Sequence, residues 1–286
     1  MDAEFWILQV FNGISYGALL FLLAAGLSLI FGVMRIVNLA HGSYFLLGGY
    51  VALTVIWTTG SWALAIPVAA LTVAVLGLIM ERVFLRPLGF DPLRQVLLTV
   101  GFAFLFQQAA LDIWGGDSLD IQPPEVLTES AVIGGIYFPL YRVFMIGMAA
   151  AIGLALWLAM EKTRMGAMVR AAVDDSEMAR GVGIDTSRVS MFIFALGAFL
   201  AALGGVIGGA FLGVYPGLDF EILPIAFAVV IIGGMGSLGG AAVGSLIVGL
   251  ADNFGKALFP ELSYFTLYAP MVLILALKPT GLFGRE

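Results

Sequence analysis

From residue 5 to residue 34, and again from 36 to 80, the chain carries no Asp, Glu, Lys or Arg. Further charge-free runs cover 95–111, 143–160, 189–218, 222–251 and 262–277. A membrane-spanning helix needs about 20 apolar residues. The first run therefore holds one span and the second two, with a break at Thr59-Gly60-Ser61. The run 222–251, continuing toward Phe259, takes two shorter elements broken by Gly233-Gly234-Met235-Gly236-Ser237-Leu238-Gly239-Gly240. The fold class expected is an all-α polytopic membrane protein with eight or nine hydrophobic elements, some broken or re-entrant, in one domain over residues 1–286.

Composition agrees. Only 11% of the residues are charged and 61% are hydrophobic, whereas soluble domains carry about a quarter charged residues. Too few polar side chains remain to cover a soluble core. The same numbers exclude intrinsic disorder, and the lack of Cys excludes thiol catalysis, disulfide scaffolds and Cys-ligated metals. The first run is too long for a secretion signal and has Asp2 and Glu4 where basic residues should stand.

Orientation follows from Lys and Arg, which concentrate on the cytoplasmic side. If 81–94 is cytoplasmic, alternating spans put Arg35, Arg82, Arg86, Arg94, Lys162, Arg164, Arg170, Arg180, Arg188, Lys278 and Arg285 on that side. Of the 13 basic residues, only Arg142 and Lys256 are left outside. The acidic loop 112–129 and the Asp219/Glu221 turn also fall outside. This sets the N-terminus outside and the C-terminus in the cytoplasm.

Small residues recur at spacings of four in Gly204, Gly205, Gly208, Gly209 and Gly213, and in Gly240/Gly244. That spacing lets helix backbones approach, within one chain before any dedicated subunit contact is needed. Asn38-Leu39-Ala40-His41-Gly42-Ser43 places three polar side chains among apolar neighbours and reads as part of a span. The stretch 233–240 is too rich in glycine to continue as a helix. Broken helices at membrane depth are tolerated where protein buries them or where they line a cavity, as in transporter sites. Asn38, His41, Ser43, Thr99 and Gln107 are the candidate pathway-lining residues, and Gly42, Gly233, Gly234, Gly236, Gly239 and Gly240 the candidate gating glycines. Each polar residue has ordinary interhelical hydrogen bonding as its alternative role. His41, the sole histidine, reads equally as a functional group or as a packing group. Asp252 is the one carboxylate read well inside a span, and Lys256 four residues later can pair with it. One His with scattered carboxylates makes no transition-metal site.

The segment 161–188 is the longest internal polar stretch. It reads as a helix over 165–173, then a second helix capped by Asp175 or Ser176, favoured by Glu177 in its first turn and stopped by Gly181 and Gly183. A compact helical knob on a thin cytoplasmic face is a surface offered to a partner. The chain contains no phosphate-binding G-x-x-x-x-G-K-[ST], so nucleotide-driven work must come from another polypeptide.

Several stretches then resemble the membrane subunits of branched-chain amino acid ABC importers, in order along nearly the whole chain. They are 26–42, Glu81-Arg82 with Arg86-Pro87-Leu88, Thr99-Val100-Gly101, Arg170-Ala171-Ala172 with Asp174, Ala179 and Gly183-Ile184, then 233–244 and Lys278-Pro279-Thr280-Gly281-Leu282-Phe283-Gly284. The first of that family's two permeases is the nearer match. The resemblance implies a type II ABC importer permease fold, a second permease subunit in a heterodimer, two cytoplasmic ATPase subunits and a periplasmic substrate-binding protein. It implies that Arg170, Asp174, Asp175, Glu177, Ala179, Arg180, Gly181, Gly183 and Ile184 couple the chain to the ATPases. ATP and Mg would sit on those partners, leaving this chain a non-catalytic subunit without a cofactor, seated in the lipid bilayer of the bacterial inner membrane and with no nucleic-acid partner. Similar permeases carry urea, short amides, other amino acids and aromatic acids, so the cargo stays open. A self-sufficient carrier or channel, and an intramembrane enzyme, are weaker readings for want of ion-coupling carboxylates and of a nucleophile–base pair.

Overall fold

In the computed structural model, residues 3–89 and 91–284 are described; Asp2 and Arg285, which entered the charge argument, lie outside the described residues. In chain order the elements are α1 (Ala3–Met34), α2 (His41–Thr59), α3 (Trp62–Ile79), α4 (Pro92–Trp114), α5 (Glu125–Thr128), strands β1 (Ser130–Ile133) and β2 (Ile136–Pro139), α6 (Leu140–Lys162), α7 (Arg164–Asp174), α8 (Ser176–Gly181), α9 (Thr186–Leu212), α10 (Leu218–Gly233), α11 (Leu238–Leu258) and α12 (Ser263–Leu277). Among the described residues nine of these helices come from the apolar runs, and seven are long and apolar enough to cross a membrane. The two that are not are α2 and α10.

Both breaks read from the sequence are present. Ser61 accepts the Leu64 amide at 3.3 Å and so caps α3 just after Gly60. Gly234 to Ser237 separate α10 from α11. The only sheet among the described residues is the β1–β2 hairpin, an addition to the all-helical expectation.

The helices at the centre are α1 and α9, which run antiparallel. Gly26 lies against Gly197, and Leu22 and Leu19 lie against Gly204 and Gly208. The Gly13 and Gly17 backbones meet Leu250 and Ser245, which sets α11 antiparallel to α1 as well. A Cβ added at Gly205 would stand 1.8 Å from the Phe45 carbonyl oxygen, so α2 and α9 touch backbone to backbone. Lipid offers no hydrophobic gain for helix association, and close van der Waals packing supplies it instead. The four-residue glycine spacing is thus spent on packing within this chain.

The charges segregate along the bundle. At the end where α6 leads into α7 and α8, α1 finishes beside Gly236 and the chain resumes at Arg35. At the opposite, hairpin end stand the two basic residues left over by the charge count. Arg142 binds the Asn12 side chain and lies over Phe211, and Lys256 pairs with Asp252 at 2.7 Å. Asp252 is therefore a buried carboxylate paired at i, i+4 with the exposed Lys256 ammonium.

Candidate functional site

Two helices begin inside the bundle. After α1 the chain runs irregularly through 35–40, with Arg35 in the left-handed region at φ +53°. The sequence reading placed Asn38 to Ser43 in a span; instead Asn38 stands in the break and His41 is the first residue of α2. His41 Nε2 lies 3.0 Å from the Leu23 carbonyl oxygen, which requires the proton on Nε2. Leu23 is 11 residues before the end of α1, so α2 starts about 16 Å into the bundle. There a Cβ on Gly42 would stand 2.3 Å from the Asp219 carbonyl oxygen, which puts the start of α10 at the same depth.

The residue that joins these two starts was missed from the sequence. Asp219 is 2% exposed and accepts a hydrogen bond from Ser43 Oγ at 2.8 Å. The alternation of spans sets it, together with Glu221, in an outer turn. Glu221, two residues on, is exposed and accepts from the Tyr215 hydroxyl at 2.8 Å. Only the tertiary contact separates them. Glu81 is buried as well, at 2% exposure in a π-helical continuation of α3 over Met80–Leu85. Asp252 is thus not alone among buried carboxylates.

Asn38, His41, Ser43 and Thr99 are all at most 1% exposed. Thr99 Oγ1 accepts the Leu39 amide at 3.2 Å and donates to Val96 O at 2.9 Å. Asn38 Oδ1 accepts the Ala40 amide at 3.1 Å. These side chains supply partners that the irregular backbone of 35–40 lacks. Gln107 is half-buried, its amide nitrogen 3.8 Å from the position of a Cβ on Gly217 at the start of α10. Beside this group opens a cleft of 490 Å³ between α4, α10 and α12. None of the five candidates forms its wall, but Leu39 and Val100, the neighbours of Asn38 and Thr99, do. The wall is almost wholly apolar, in contrast to the polar lining anticipated.

At the far end of α10, Gly233 and Gly240 touch, each leaving no room for a Cβ beside the other's carbonyl oxygen. Gly234 and Gly236 take φ +100° and +81°, which L side chains rarely adopt. Gly239 has open space around it. The tail closes this break: Leu282 N and Phe283 N donate to Ile232 O and Gly233 O, each at 2.9 Å. Two orphan carbonyls of the α10 C-terminus are thereby satisfied.

The knob forms as α7 and α8. Asp175 Oδ1 accepts the amides of Glu177 and Met178, both at 2.9 Å. Gly181 is the last helical residue, and Gly183 alone takes the left-handed turn at φ +90°. Arg170 binds Met160 O and faces Glu161 at 3.8 Å, fastening α7 to α6. Arg180 Nε donates to Ser176 O at 3.1 Å. Ala179 is buried and its carbonyl accepts the Ile184 amide at 3.0 Å, whereas Asp174, Asp175 and Glu177 are exposed. Met178 and Val182 are 65% and 70% exposed.

Apolar helices around two interior helix starts and an open cleft define a polytopic, all-α membrane protein of transport. The family model for the branched-chain amino acid transport system permease component matches residues 9–275, and the chain belongs to that family. It is 31% identical to the high-affinity branched-chain amino acid transport system permease protein LivH of Escherichia coli K12, covering 98% of this chain and 96% of that protein. It is 28% identical to permease protein BraD of Pseudomonas aeruginosa, over 98% and 96%. The Escherichia coli K12 permease LivM is 26% identical over 91% of this chain and 67% of its own length.

Proposed function

We propose that this chain forms one half of the translocation pathway of an ATP-driven importer, with a second, LivM-like permease as the other half. Two cytoplasmic ATPases holding ATP and Mg drive it, and a periplasmic binding protein delivers branched-chain or other amino acids. The observation that carries this reading is the knob. A chain without a nucleotide-binding loop exposes Met178 and Val182 on a capped helix at the end where the basic residues collect. That end is the cytoplasmic one by the charge rule, so the N-terminus lies outside and residues 161–188 form the coupling segment. ATP-driven closure of the ATPases would move the knobs and rock the helices about the interior starts of α2 and α10. Residues 1–286 act as one domain in this scheme.

The test is to co-express the chain with its native neighbours, identify the co-purifying polypeptides by mass spectrometry and measure uptake in vesicles. A complex with a second permease and ATPases, importing leucine only with ATP, is the expected result. Uptake by the chain alone, without ATP and abolished by an ionophore, would replace the importer with a self-sufficient carrier.

A further inference from the structure

We infer that the cleft between α4, α10 and α12 receives the aliphatic side chain of an amino-acid cargo during its passage. This rests on the importer reading above. Its 490 Å³ falls within the roughly 300–1,000 Å³ of small-molecule sites. Leu39, Val100, Phe220, Leu223 and Phe227 present apolar groups, with Tyr268 contributing from α12. No charged side chain stands on the wall. The charged head group of the cargo therefore stays in water while its side chain is sorted by an apolar surface.

Location separates this cleft from an ordinary lipid-facing groove. Two of its walls come from elements that do not complete a span. Leu39 belongs to the irregular segment before α2, and Phe220, Leu223 and Phe227 to α10, which starts inside the bundle. Irregular backbone at membrane depth persists where it is buried in protein or lines a cavity, and here it does both. The same helix that walls the cleft ends at the Gly233–Gly240 contact, so movement at that break changes the cleft. In this scheme, a shift of α10 at the break during the transport cycle would let the cleft hold a side chain in one state and release it in the next.

An apolar pocket distinguishes one methylene by about 10–200-fold. The complete importer, assembled with its partner subunits in vesicles, is therefore assayed for ATP-driven uptake of leucine and alanine, both presented by the binding protein. Val100→Phe, which fills the cleft from α4, is expected to lower the leucine-to-alanine uptake ratio about ten-fold. Phe227→Ala, which enlarges it from α10, is expected to raise the phenylalanine-to-alanine uptake ratio about ten-fold. Unchanged ratios in both variants would overturn the inference and mark a groove filled by a lipid chain. A parallel loss of all cargoes together with the second permease would overturn it too, marking a seat for a partner helix. If the wild-type complex imports no amino acid with ATP, the importer reading itself falls, which is a different result from unchanged ratios in a working importer.

Discussion

Ser43 Oγ donates a 2.8 Å hydrogen bond to Asp219 Oδ2, joining the first turns of two helices that lie 176 residues apart in the chain. Both residues are buried, so the contact is shielded from competing water. Leaving a buried polar group without its partner costs about 1–3 kcal/mol. Ser43→Ala is expected to lower the thermal unfolding midpoint in detergent, because the Asp219 carboxyl loses its donor. Asp219→Asn keeps an accepting oxygen and should cost less. Equal melting of Ser43→Ala and wild type would show that the contact contributes nothing to stability.

The glycines of the α10–α11 break are not equivalent. A Cβ at Gly233 would stand 2.2 Å from the Gly240 carbonyl oxygen, backbone that cannot rotate away. Gly239 is exposed, within the first turn of α11, with nothing in reach. Gly233→Ala is expected to destabilise by about 1–3 kcal/mol or more through overpacking. Gly239→Ala should be neutral or gain up to about 1 kcal/mol from helix propensity. Thermal unfolding of the two variants side by side decides; equal losses would remove the distinction.

The contrast between these two glycines shows where sequence reading ends. A cluster such as 233–240 announces a helix break, because backbone conformations open to glycine are local, and the break falls there. Which glycine makes the close approach depends on the partner helix, which no local pattern encodes. Charge-free runs located the long helices for the same local reason. They failed at Asp219, since a carboxylate buried by a contact with Ser43 and one in water like Glu221 look alike in sequence. Asp175 was legible because its cap bonds lie within three residues. The cleft was not, since its wall gathers Leu39, Val100, Phe227 and Tyr268 from four separate parts of the chain.

The tail should respond to a substitution in its own turn. Gly281 takes φ +79°, and a Cβ there would stand 2.5 Å from the Ile231 carbonyl oxygen. Gly281→Val is expected to lift the tail and release the Leu282 and Phe283 hydrogen bonds to α10. Amide hydrogen exchange across 232–237 and 281–284 should then rise, while exchange in the middle of α9 stays slow. Unchanged protection of 281–284 would show that the tail is held by something other than these contacts.

The knob gives the sharpest functional prediction, because its fold and its exposed surface can be altered separately. Asp175→Ala removes an N-cap worth about 1 kcal/mol and frays the first turn of α8, a helix of six residues. Met178→Glu and Val182→Glu leave the cap alone and change only an exposed apolar surface. Under the importer reading, all three variants reach the membrane and melt near the wild-type temperature. ATP-driven uptake should fall more than ten-fold in the two glutamate variants, since a carboxylate buried against a partner without a counter-charge costs several kcal/mol. Asp174→Lys combined with Arg180→Glu should uncouple ATP hydrolysis from uptake while insertion is preserved. Full uptake by Met178→Glu and Val182→Glu, with ATPase subunits still bound, would move the coupling surface away from α8 and leave the knob a structural loop.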